Sequence, residues 1–235
     1  MNNKQLVKLI SFMATFDGGL YVVNRKDRPM KTNNAMFILN MRKENLDYVK
    51  WVERVLSSVT GVTVEDRKDY NTDGCNRKPQ LRLYTRRHPF LTRIRDRIYT
   101  PDNKKVIDLH MLKLLDAEAL AIIFMADGGT FLNKGLYPEI ALHTKGFSEA
   151  DNLALSKAIY EKTGVRTNVN RHNKYFYLRV KTKDIPLFIN TVKEFTLPSF
   201  WYKFKRLAPA MGDEIVWPWQ ECQESCRDDN SHESE

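Results

Sequence analysis

An Asp-Gly-Gly triplet occurs twice in this chain, at Asp17-Gly18-Gly19 and Asp127-Gly128-Gly129, 110 residues apart. Each closes a short apolar run. Ile10-Ser11-Phe12-Met13-Ala14-Thr15-Phe16 precedes the first, and Leu120-Ala121-Ile122-Ile123-Phe124-Met125-Ala126 precedes the second. An apolar run that stops at paired glycines reads as a helix ended by a tight turn of backbone. A carboxylate repeated at the end of a repeated helix points to two related half-molecules in one chain. Packed side by side, the two helices would bring their acids together on a pseudo-twofold axis.

The rest of the chain repeats around those helices. The apolar face of Leu6, Leu9, Ile10 and Met13 predicts a first helix over 3–16. Strands are expected at 20–24 and 35–41, with a charged turn between them. A helix follows from the cap Asn45 to about residue 58, with Leu46, Val49, Val52 and Leu56 facing inward and Gly61 ending it. Strands at 62–67 and 80–85 flank the loop Tyr70-Asn71-Thr72-Asp73-Gly74, and His88-Pro89 opens a helix to about residue 99. The second half has the same order. It runs through a helix over 115–126 capped by Asp116, strands at 129–133 and 139–144, and a helix from Ser148-Glu149 bearing Leu153, Leu155, Ile159 and Tyr160 and ended by Gly164. Strands at 165–171 and 175–181 turn at His172-Asn173, and 185–195 is the last helix. Each half is therefore αββαββα. This α+β duplication divides the chain into 1–105, 106–208 and an acidic, flexible tail at 209–235.

That tail hides the charge of the body. The whole chain carries +9, but residues 209–235 hold eight acids and one base, Arg227. Without them 37 Lys and Arg face 21 Asp and Glu, a body of +16. Such a body calls for a polyanionic partner. Charge alone fits a ribosomal or an anionic-lipid-binding protein equally well. No signal-peptide core and no run near the roughly 20 apolar residues of a membrane span are expected. Cys75, Cys222 and Cys226 form no disulfide framework, so a reducing interior is expected. Cys222 and Cys226 with His232 make too irregular a set for zinc.

The strand faces carry a more specific message. Lys78, Gln80, Arg82, Tyr84 and Arg86 alternate with apolar neighbours in the first half. In the second, Tyr175, Tyr177, Arg179 and Lys181 do the same beside Arg166, Asn168, Asn170 and His172. Period-two alternation sends one set to the helices and the other to solvent. Arg, Gln, Asn and Tyr are side chains that hydrogen-bond base edges in a major groove. Arg25, in the turn before the second strand, extends this surface.

The two motifs, aligned as residues 10–18 and 120–128, resemble the nine-residue signature of the LAGLIDADG homing endonucleases. The resemblance extends over about residues 4–205. Phe124-Met125-Ala126-Asp127-Gly128-Gly129 and Leu197-Pro198-Ser199-Phe200-Trp201-Tyr202-Lys203-Phe204 are similar to the monomeric intron-encoded branch. The resemblance implies two pseudo-symmetric halves whose antiparallel sheets form a DNA-binding saddle. Two positions depart from the pattern. Phe12 and Ile122 replace the usual glycine, with the small residues moved to Ser11 and Ala121, so the helix contact is expected to be wider or shifted. Thr15 and Met125 replace the acid at the sixth position, while the essential eighth-position acids are present.

The implied activity is a site-specific double-strand break in a long, asymmetric DNA target, leaving short 3′ overhangs. Mg²⁺ or Mn²⁺ would be held by Asp17 and Asp127 with the carbonyls of Phe16 and Ala126. Lys105 and Lys203, trailing the last helix of each half, are the basic groups the resemblance places near the scissile phosphates, with Lys104 interchangeable with Lys105. The expected partner is double-stranded DNA, bound by a monomer inside a bacterial or phage host or an organelle. Two other readings share the scaffold: a group I intron RNA maturase that also binds intron RNA, and a catalytically silent DNA-binding regulator. Met1 and the lack of a terminal His-Asn pair favour a free-standing or intron-encoded protein over an intein.

Overall fold

The computed structural model describes residues 1–22, 33–67, 78–212 and 215–220. Arg25, the loop 70–74 and all three cysteines therefore lie outside the described residues. Helix α1 (Asn3–Phe16) is followed by strands β1 (Gly19–Tyr21) and β2 (Met36–Arg42), α2 (Leu46–Ser57), β3 (Val62–Arg67), β4 (Gln80–Thr85) and α3 (Pro89–Ile98). A short α4 (Leu109–Lys113) leads into the repeat: α5 (Ala117–Asp127), β5 (Gly128–Asn133), β6 (Tyr137–Leu142), α6 (Glu149–Thr163), β7 (Thr167–His172), β8 (Tyr175–Val180) and α7 (Ile185–Val192). Two four-residue helices, α8 (Tyr202–Lys205) and α9 (Ala208–Met211), follow. The strands form two antiparallel sheets of matching order, β1-β2-β4-β3 and β5-β6-β8-β7. This is the α+β doubling that the repeat predicts.

Local signals set the boundaries. Asp116 caps α5 by accepting from Ala119 N, and Ser148 and Asp151 form a reciprocal capping box on α6. His88 accepts from Phe90 N at the start of α3, with Pro89 in its first turn. Gly164 closes α6 in the left-handed region at φ 74°. Gly61 has no such role, because α2 already ends at Ser57 and Gly61 leads directly into β3. The turn between β7 and β8 falls one residue later than the sequence suggests, with Asn173 at φ 55°.

Helix α5 is buried continuously from Ala119 to Met125, and α1 from Lys8 to Phe16. A helix apolar on every side belongs inside a protein. α1 packs more heavily on α5 than on any other helix, and this pair joins the two sheets. Phe12 and Ile122, which stand where the signature has glycine, are both fully buried. At the other end of the pair Lys8, only 6 % exposed, pairs with Asp116 and with Glu118 at 2.8 Å, and Gln5 bonds Glu118. The two helices therefore run side by side in one direction.

Three apolar residues of the outer helices point to solvent. Leu46 is exposed because it opens α2 before the helix meets the sheet, and the buried positions are Tyr48, Val49, Val52, Val55 and Leu56. Leu153 and Tyr160 are likewise exposed on α6, where Asn152, Leu155, Ala158 and Ile159 face the core. Beyond residue 208, Met211, Ile215 and Trp217 are buried, and Trp217 stacks on Trp219 at 5.0 Å. The packed body therefore continues into the stretch read as a tail. Among the described residues no helix is long and apolar enough to cross a membrane.

Candidate active site

Asp17 and Asp127 close α1 and α5 at the ends opposite the Lys8 clasp. The glycines after them are required by close approach. A Cβ on Gly128 would lie 2.3 Å from the carbonyl oxygen of Phe124, and one on Gly18 would lie 2.4 Å from the Phe37 ring. Each aspartate is thus held where its helix turns sharply into the first strand of its sheet.

A lysine caps each helix end. Lys105 Nζ donates to the carbonyls of Thr15, at 3.1 Å, and Gly18, at 2.7 Å. Lys203 Nζ donates to those of Phe124 and Met125, both at 2.7 Å, and stands over the rings of Phe124 and Phe200. Both lysines are placed by backbone. Lys105 bridges to Tyr99, and the Lys203 carbonyl accepts from Thr130 Oγ1 at 2.7 Å. Lys104 instead pairs with Asp102 at the surface, so the two neighbours are not interchangeable.

Burial governs the charges here. It pushes the Asp17 carboxyl above its ordinary value, opposed by Tyr48 and the two lysines. Asp127 rises to about 7 through burial and the negative charge of Asp17. Burial lowers both lysines, Lys203 to about 8, while the two acids pull them back. Both lysines act on both acids. The four groups are therefore one electrostatic unit shared by both halves.

A cleft of about 700 Å³ opens beside them, lined by Asp17, Ala126, Gly129, Lys203, Arg42 and Arg206 among others. Lys78, expected on the reading face, lines this cleft and pairs with Glu44 at 3.3 Å. Among the described residues no cluster of three His, Cys, Asp or Glu could hold a metal. The protein offers two carboxylates, as the sequence indicates. Asp17 Oδ2 is buried with no hydrogen-bond partner. So is the hydroxyl of Tyr48, which lies close enough to steady the Asp17 carboxylate without completing a bond of ordinary geometry. Tyr48 is a site residue that sequence reasoning misses, because it lies outside both motifs and outside the inward face of Leu46, Val49, Val52 and Leu56.

The sheet faces gather most of the expected reading residues. Gln80 sits across from Arg42 and Arg67, Arg82 across from Asn40 and Glu65, and Tyr84 across from Thr63. In the second sheet Asn168 faces Arg179, Asn170 faces Tyr177 and His172 faces Tyr175. Arg86 and Lys181 extend these rows just past the ends of β4 and β8. Arg166 stands apart, its guanidinium and backbone N–H both bound to the buried Asp184. Strand register adds residues that alternation within β4 and β8 alone cannot supply: Asn40, Arg42, Glu65 and Arg67 in one sheet, Glu139 and His143 in the other. Glu139 pairs with Arg179. His143 donates its backbone N–H to the Asp127 carbonyl at 2.8 Å, and burial lowers its imidazole pKa.

This arrangement has relatives. The chain is 25 % identical over 176 residues to a probable intron-encoded endonuclease 1 of Wickerhamomyces canadensis, covering 72 % of this chain and 74 % of that protein. The homing endonuclease I-WcaI, solved bound to its DNA recognition sequence, superposes with a TM-score of 0.68 at 19 % identity, covering 86 % of both chains. I-SmaMI, bound to an uncleaved DNA target in the presence of calcium ions, gives 0.54 at 11 % identity over 95 % of this chain and 97 % of that one. The model of the LAGLIDADG DNA endonuclease family matches residues 17–188, most of the chain. The chain belongs to the LAGLIDADG family of DNA endonucleases.

Proposed function

We propose that this endonuclease makes a site-specific, metal-dependent double-strand break in a long asymmetric DNA target, leaving short 3′ overhangs. The observation that carries the reading is the gathering of two aspartates and two lysines at the joint of the halves, each lysine seated on the carbonyls of a helix end. Each half would serve one strand, so a single chain acting as a monomer suffices for both cuts.

The donor set fits a hard divalent ion. Asp17 raises the pKa of Asp127, and one oxygen, Asp17 Oδ2, is left unpartnered. Lys105 and Lys203 bond helix-end carbonyls and neither carboxylate, so the acid oxygens are left to take a cation. Asp17 and Asp127 would hold Mg²⁺ or Mn²⁺, with the carbonyls of Phe16 and Ala126, water and phosphate completing the shell. The calcium present with I-SmaMI supports a divalent ion in this family. When bound, the ion supplies an activated water and charge stabilisation at phosphorus.

The chain's own groups do the rest. Lys203 and Lys105, anchored on helix-end carbonyls, hold positive charge beside the scissile phosphates, where negative charge grows in the transition state. Arg42, Lys78 and Arg206 along the cleft would grip flanking phosphates and set register without reading sequence. Gln80, Arg82 and Tyr84 on one sheet, and Asn168, Asn170, Tyr177 and Arg179 on the other, would read base edges. The faces differ residue by residue, so the target is asymmetric. Arg166, held by Asp184, is assigned to structure. Lys181, Arg86, His172 and Tyr175 complete the rows.

The test is cleavage of a duplex carrying the uninterrupted host allele in Mg²⁺, by wild type, Asp17→Asn and Asp127→Asn. Wild type is expected to cut both strands, and each variant to lose double-strand cleavage while still binding the site. Intact DNA with wild type, despite tight specific binding, would sink the reading.

A further inference from the structure

Tyr48 is the largest fully buried side chain among the described residues, and the folding core alone does not account for its hydroxyl. The ring has good partners, stacking on Trp51 at 5.7 Å and meeting Phe200 edge-on at 5.4 Å. The Oη beside Asp17 has none, and Asp17 Oδ2 has none. A phenylalanine would fill the same space without burying an unpaired polar atom, so the hydroxyl marks a role beyond packing.

The position of Tyr48 is fixed from both halves. The next residue back, Asp47, accepts from Ser199 N at 3.0 Å and so pins the start of α2 to the turn that leads to Lys203. Phe200, under the Tyr48 ring, carries the Lys203 ammonium at 5.4 Å on its own face. Tyr48 therefore spans the acid of one half and the base of the other.

Asp127 has no counterpart. The third residue of α6, where α2 has Tyr48, is Asp151, which is committed to the capping box with Ser148. Among the described residues no hydroxyl bonds the Asp127 carboxyl, and Tyr48 feels Asp127 through its charge alone.

We propose that Tyr48 is a positioning residue for Asp17. Its Oη–H donates to Asp17 Oδ2 in the loaded site, fixing the carboxylate so that the other oxygen faces the cleft. The Asp17 half-site is then preorganised and the Asp127 half-site is not, so the strand that depends on Asp17 is cut first. This rests on the nuclease reading above.

Single-turnover cleavage of a duplex with a different dye on each strand tests it, with Asp17→Asn identifying the dependent strand. Wild type is expected to cut that strand first. Tyr48→Phe is expected to slow it about 10-fold, as a small misplacement of a reacting group does, and to change the other by less than about 2-fold. The order of cutting then levels or reverses. Equal slowing of both strands, or no change, overturns the proposal. Asp47→Ala, which keeps the hydroxyl but frees its anchor, is expected to bias the same strand in the same direction, and no bias there counts against the proposal too.

A second readout needs no turnover. The Mn²⁺ concentration that half-saturates thermal stabilisation of the DNA-free protein is expected to rise about 10-fold in Tyr48→Phe, with its metal-free melting temperature equal to or above wild type. An unchanged Mn²⁺ midpoint overturns the proposal. If wild type cuts neither strand, the nuclease reading fails by itself, and the Mn²⁺ comparison still decides the role of Tyr48.

Discussion

Asp127 titrates in the middle of the physiological range, which makes it a sensitive reporter on the site. Its carboxyl is raised to about 7, so the folded chain favours the protonated form. The stability it contributes is full below the ordinary value of 3.8 and is lost as pH climbs through 7. Lys203, lowered to about 8, favours the neutral amine, and its contribution is lost as pH falls through 8. Metal-free protein therefore carries both penalties between about pH 7 and 8. Asp127→Asn is expected to raise metal-free stability at pH 8 by about 1–2 kcal/mol, a figure discounted for the screening that partial exposure allows. The gain should shrink to nothing near pH 4. Chemical denaturation across that range would show it, and a flat difference would rule it out.

At the scale of elements, the lysine and aspartate that share a half cap and end the same helix, with Lys105 on carbonyls either side of Asp17 and Lys203 on carbonyls just before Asp127. Lys105→Met is accordingly expected to slow most the strand that depends on Asp17, and Lys203→Met the strand that depends on Asp127. Losses of about 10²-fold are expected, comparable to removing one transition-state donor. Strand-resolved kinetics on all four variants would test the pairing, and the opposite pairing would refute it. Much of this scale is legible in the chain. The 80–85 strand follows from strict alternation, and α3, α5 and α6 begin at the caps His88, Asp116 and Ser148. Helix α2 shows where reading stops. Its spacing puts Leu46 on the inward face and passes over Tyr48, and only the three-dimensional seat of the helix exposes the first and buries the second. Four-residue helices such as α8 and α9 are too short to show any period. Cross-strand partners such as Glu139 and Asn40 depend on register between segments far apart in sequence.

For the whole molecule, the central feature is a helix pair fastened at both ends by different means. The far end has Lys8 between Asp116 and Glu118, a nearly buried cation between two acids. Its removal leaves those acids facing one another. Lys8→Met is expected to cost about 2–3 kcal/mol, less than a fully buried pair because Asp116 is half exposed. Guanidinium unfolding would measure it, and the order of strand cutting is expected to stay as in wild type. A shifted order would mean that the clasp sets the spacing of the aspartates as well as the stability of the joint.

The shared direction of α1 and α5 has one more consequence. Each helix is a row of aligned peptide dipoles with its negative end at the C-terminus, and two such ends meet where two carboxylates already stand. Lys105 and Lys203 neutralise part of that field by seating on the terminal carbonyls. The remainder draws cations toward the joint before any nucleic acid arrives. A divalent ion would then act as a keystone as well as a reagent, drawing together two halves that their own backbones push apart.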